Sequence, residues 1–100
     1  MPATWQPSGV ELFLGEGLIT FDGKVIEGFG VQDGGCGRAH LASLAYLELG
    51  EAKGQLYLRP LTVWGSSPFL LPFPEDQRAV AEWFIAEVER ARSTLRPSGR

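Results

Sequence analysis

Pro74-Glu75-Asp76-Gln77-Arg78-Ala79-Val80-Ala81-Glu82-Trp83-Phe84-Ile85-Ala86-Glu87-Val88-Glu89-Arg90-Ala91-Arg92 is where the apolar period of the chain changes, and with it the fold class. Val80, Phe84, Val88 and Ala91 recur every three to four residues, with Ala81, Ile85 and Trp83 along the borders of the stripe, as a helix with one buried face requires. Pro74 fits the first turn, where its missing N–H is no loss. Glu75 and Asp76 place negative charge at the positive end of the helix dipole, and Arg90 and Arg92 sit at the other end. Glu75 with Arg78 and Glu89 with Arg92, three apart, are positioned to pair on the helix surface.

Upstream of this helix, glycine and proline cut the chain into runs of strand length. Val10–Leu14 meets the turn Gly15-Glu16-Gly17, and Leu18-Ile19-Thr20-Phe21 passes through Asp22-Gly23 into Lys24-Val25-Ile26. An Asp-Gly pair between apolar runs tolerates positive φ and predicts a two-residue hairpin. Strand character continues to about Val31, and Gln32-Asp33-Gly34-Gly35-Cys36-Gly37 reads as a loop because closely spaced glycines hold a ladder poorly. Leu44–Leu49 reads as a strand ending at Gly50, although Leu41, Leu44 and Leu47 also fit one face of a helix. Leu56 and Leu58 alternate with Gln55, Tyr57 and Arg59 in the period of a half-buried strand. Gly65-Ser66-Ser67-Pro68 is a turn, and Phe69–Phe73, flanked by Pro68 and interrupted by Pro72, suits a sheet edge. The expectation is α+β: an antiparallel bent sheet or barrel of about seven strands with one C-terminal capping helix. Residues 1–9 read as an arm, 10–93 as one domain and 94–100 as a frayed tail.

A length of 100 residues suits a single core, and an apolar content of 44% with 21% charged residues is ordinary for a globular domain. No run approaches the roughly 18 apolar residues of a membrane span, and the start Met1-Pro2-Ala3-Thr4-Trp5 lacks the pattern of a signal peptide, so the expected location is the cytoplasm. The single cysteine, Cys36, has no internal partner for a disulfide. A net charge of -3 works against nucleic acid and against anionic lipid as partners.

The strand runs Gly17–Ile26 and Arg38–Leu47, followed by the helix Glu75–Val88, resemble small uncharacterised bacterial pleckstrin-homology-like (PH-like) domain proteins, with Trp83 at the place of their characteristic tryptophan. The resemblance covers roughly residues 10 to 93. It implies a strongly bent sheet plugged by the helix. The family's best-known activity, phosphoinositide binding, uses Lys and Arg crowded around the first hairpin loop, so that several cations meet several phosphate oxygens. Here the early turns read Leu14-Gly15-Glu16-Gly17 and Asp22-Gly23-Lys24, and that activity is not expected to carry over. The implied use is a protein partner or self-association.

Cys36, Arg38 and His40 are the one grouping of a nucleophile, a cation and an imidazole. On a strand they share a face but stand too far apart to cooperate, and one Cys with one His leaves a tetrahedral zinc site unfilled. The glycines Gly28, Gly30 and Gly34–Gly37 lack the Gly-Lys-Ser/Thr ending of a phosphate loop and read as turn chemistry. No cofactor and no enzymatic activity are expected. Trp5, Trp64 and Phe69 are the candidate partner contacts, as large apolar side chains near turns and termini. The rival expectation is a carrier of a small or lipid-like molecule, with an apolar cavity between sheet and helix lined by Phe21, Leu58 and Phe84.

Overall fold

The computed structural model describes residues 3–6, 9–30 and 36–95. Among these, eight strands form two antiparallel sheets, one of five strands in the order β1-β2-β3-β4-β5 and one of three in the order β6-β7-β8, where β1 is Ala3–Gln6, β2 Gly9–Leu14, β3 Gly17–Phe21, β4 Val25–Phe29, β5 Cys36–His40, β6 Leu44–Ala52, β7 Gln55–Thr62 and β8 Leu71–Phe73. One helix, α1, follows over Arg78–Leu95. The α+β expectation holds. The sheets do not close into a barrel, since β5 and β6 are not paired, and the expected strand number is exceeded because part of the N-terminal arm is β1, with Ala3 opposite Leu12 and Gln6 opposite Gly9. The tail 96–100 lies outside the described residues, and α1 runs through Leu95. No helix among the described residues is long and apolar enough to cross a membrane.

The turns follow their residues. Leu14 pairs with Gly17 across the tip Gly15-Glu16, with Gly15 at φ 61°. Its N–H donates to Gln77 Oε1 at 2.7 Å, tying this hairpin to the start of the helical segment. The β3–β4 tip is shifted by one residue from the expected Asp22-Gly23. It is Gly23-Lys24, because Asp22 Oδ1 accepts from the N–H groups of Lys24 (2.9 Å) and Val25 (2.8 Å) and so takes the place of a turn carbonyl. Those two donors hold the Asp22 carboxyl below the usual carboxylate range. Lys53 and Gly54, both at positive φ, close β6 onto β7 with Ala52 opposite Gln55.

Residues 41–49 resolve the choice between strand and helix in favour of strand, and explain why the leucines looked helical. Leu41–Ser43 is a single 3-10 turn, so Leu41 and Leu44 recur at three. β6 then has a register irregularity between Leu44 and Tyr46, which lets Leu44 and Leu47 both face inward three residues apart. Arg92 donates to the carbonyls on this irregularity, to Leu44 O at 3.3 Å and to Ala45 O, fastening the end of α1 to β6.

The inner faces of both sheets and one face of α1 share a single core. β2 buries Val10, Leu12 and Leu14, β7 buries Leu56, Leu58, Pro60 and Thr62, and α1 contributes Ala81, Phe84 and Val88. The plug differs from the one implied by the resemblance. Trp83 is 37% exposed, whereas Phe84 is fully buried with its ring edge-on to Phe21, centroids 6.4 Å apart. One position along a helix is about 100° of rotation, enough to move the indole from the mouth of the core to its rim. The expected surface pairs form, Glu75 with Arg78 at 2.6 Å and Glu89 with Arg92 at 3.7 Å.

Candidate functional site

Cys36 and Gly37 belong to β5 rather than to a loop; residues 32–35 of the expected loop, and residue 31 at the end of the preceding strand run, lie outside the described residues. β5 turns Cys36, Arg38 and His40 to solvent on one face, as alternation requires. Same-face neighbours on a strand are about 6.6 Å apart, so the three groups line up without converging. Arg38 is also engaged elsewhere, through Nε (3.0 Å) and Nη2 (2.7 Å) on Glu27 Oε2 of β4. Among the described residues no grouping of three His, Cys, Asp or Glu is placed to hold a metal.

Of the candidate partner contacts, Phe69 is corrected outright: it is 5% exposed and belongs to the core. Its ring lies over Gly28 and its Cβ over Gly37, which face each other across β4 and β5. A Cβ on Gly28 would come within 2.8 Å of the ring. Gly28 is thus a packing position inside a strand rather than turn chemistry. The side chain of Trp5 lies outside the described residues. Phe21, Leu58 and Phe84, the expected lining of a carrier cavity, are buried in the core, with the Phe21 ring edge-on to Phe84. An open concavity of about 710 Å³ lies elsewhere, between the Gly15-Glu16 turn and the residues Pro74, Asp76, Gln77, Ala79 and Val80.

Trp64 stands out. It is 76% exposed and Val63 beside it 61%, on the turn that leaves β7. Gly65 N–H donates to Thr62 O, Thr62 N–H to Ser66 O and Val63 N–H to Ser43 O, each at 2.9 Å, with Gly65 at φ 86°. The buried Thr62 hydroxyl meets Ser66 Oγ at 2.7 Å and accepts from Ser66 N–H at 3.2 Å. Two large apolar side chains are therefore held in solvent by a turn whose backbone is hydrogen-bonded on both sides.

A second apolar surface was not found from the sequence. On the outer face of the five-stranded sheet Phe13, Leu18, Phe29 and Cys36 are opposite one another in consecutive strands, with Phe13 63% and Phe29 39% exposed. The next row along the strands is Glu11, Thr20, Glu27 and Arg38. A shallow groove of about 300 Å³ lies on these strands, lined in part by Glu11, Leu18, Thr20, Asp22, Glu27 and Phe29. The signal was present in phase alone. If Leu12 and Leu14 point inward, Phe13 must point outward, and an aromatic residue stands where a half-wet strand carries a polar one. No family model, curated protein or solved structure matches the chain.

Proposed function

We propose that this chain is a non-catalytic interaction module of PH-like architecture that binds a protein partner through the Val63-Trp64 turn. The architecture is supported by the strand order, four strands β2–β5 in one sheet, three in the next and a closing helix, with β1 as an addition at one edge. Phe84 in place of a buried tryptophan is a departure from that pattern. The reading includes no phosphoinositide, because the Gly15-Glu16 turn carries an acid where phosphate would need cations.

The observation that carries the functional reading is Trp64, 76% exposed on a turn closed by its own hydrogen bonds. Folding leaves the indole in water, while the hydrogen-bonded turn lowers the entropy cost of ordering its backbone on binding. Tryptophan inserted in a partner's pocket is among the strongest anchors at protein interfaces. The test is a photoreactive phenylalanine analogue at position 64, with the same group at the exposed helix position Ala86 as control. One discrete adduct at 64 and none at 86 is expected, and the purified partner should bind Trp64→Ala at least about tenfold more weakly. Equal labelling from both positions, or unchanged affinity of the variant, would sink the proposal. An adduct of twice the chain mass would identify the partner as a second copy.

A further inference from the structure

A different surface carries a different partner chemistry. We propose that the outer face of the five-stranded sheet docks a basic protein segment with an apolar side chain at its centre. The apolar half of the site is the row Phe13–Leu18–Phe29, in register across three strands and about 10 Å long at ordinary strand spacing. Leu18 is half-buried between two exposed phenylalanines, so the row is a low saddle rather than scattered residues. The polar half lies one step along the same strands, where Glu11 and Glu27 flank Thr20.

Charge decides what fits. The groove is lined by the acidic residues Glu11, Asp22 and Glu27 and, among the described residues, by no lysine or arginine. Arg38 neutralises Glu27 from the rim, and Asp22 is bound to the Lys24 and Val25 N–H groups. Glu11 is exposed and has no partner among the described residues. A second copy of the chain, with net charge -3, would bring the same acids against this face, and an anionic lipid surface would be repelled by it. A lysine or arginine beside an apolar residue satisfies both halves: the apolar group covers the saddle while the cation meets Glu11.

Cys36 supplies the readout. It is the only cysteine, it is exposed, and it lies directly opposite Phe29. A trifluoromethyl tag on its thiol reports events at this face by fluorine NMR, independently of Trp64. The probe is a short peptide with a Leu-Phe pair between lysines, titrated at low and high salt. A saturable shift of the tag is expected, weakened about threefold or more by Glu11→Gln and by added salt, and about tenfold or more by the double change Phe13→Ser, Phe29→Ser. Replacing the Leu-Phe pair by serines should weaken binding as strongly, and replacing the lysines by glutamates should abolish it. The proposal is overturned if the serine peptide binds as well as the parent, since that is charge attraction alone. It is equally overturned if no saturable shift appears by about 1 mM, or if the tag shifts with protein concentration while the mass in light scattering doubles. Loss of binding in Trp64→Ala but not in the phenylalanine variant would assign the peptide to the turn instead.

Discussion

At the scale of single residues, the seat of Phe69 on Gly28 and Gly37 binds one side chain to two neighbouring strands. Neither glycine is there for positive φ; each is there because a side chain would occupy space already filled. The two sites differ in what fills it. Above Gly28 it is an aromatic ring, which a smaller side chain can vacate, whereas above Gly37 it is the carbonyl oxygen of Pro68, 2.4 Å from where a Cβ would stand. Gly28→Ala should therefore cost about 1–3 kcal/mol through overpacking, and Phe69→Leu a comparable amount through lost burial. Combined, they should cost less than their sum by about 0.5 kcal/mol or more, because the cavity left by one accepts the methyl of the other. Gly37→Ala with Phe69→Leu should show no such relief. Urea melts of the parent, the three single variants and the two double variants measure this, and strict additivity for the Gly28 pair would show that the ring is not what the glycine accommodates.

At the scale of elements, α1 presents adjacent aromatic residues with unequal tasks. Phe84 fills the space between the sheets, while Trp83 keeps more than a third of its surface in water. Phe84→Ala should destabilise by about 3–5 kcal/mol, and Trp83→Ala by less than about 1.5. Thermal or urea unfolding separates the two, and a Trp83 variant as damaged as the Phe84 one would restore tryptophan as the plug. Here local signals and tertiary ones part company. The helix, the Gly15-Glu16 hairpin and the strand Gln55–Thr62 were legible because period, charge placement and turn residues all sit within a few positions of one another. Leu41–Leu49 was ambiguous for a physical reason, since a 3-10 turn followed by a strand irregularity reproduces the spacing of a helix face. Phe69 was misread as a surface residue because its seat is made by glycines 32 and 41 positions away, which no local window contains. Of the candidate site, Trp64 was legible from its type and the turn beside it. The row on the outer sheet face was not, because its members become neighbours only through register.

For the molecule as a whole, no pairing joins β5 to β6, so the sheets cohere through side chains and through α1. The helical segment touches both: Gln77 accepts from Gly15 at the tip of the first sheet, and Arg92 donates to the carbonyls of Leu44 and Ala45 in the second. Between those ends Ala81, Phe84 and Val88 lie in the core that the sheets share. Neither sheet keeps a dry inner face without the other and the helix, and a single cooperative unit follows. Amide signals of Ile19 in the first sheet and Leu58 in the second should be lost at one urea midpoint, with a slope of about 1–1.5 kcal/mol per M suited to a domain of this size. Ending the chain at Gln77 removes the three buried helix residues and should abolish the transition for both amides together, rather than leaving one sheet folded. Separate midpoints in the full chain, or a truncated protein whose Ile19 amide stays protected, would mean that the five-stranded sheet folds on its own. Its aromatic outer face would then be an autonomous binding unit, with the second sheet and its Trp64 turn as an appendage.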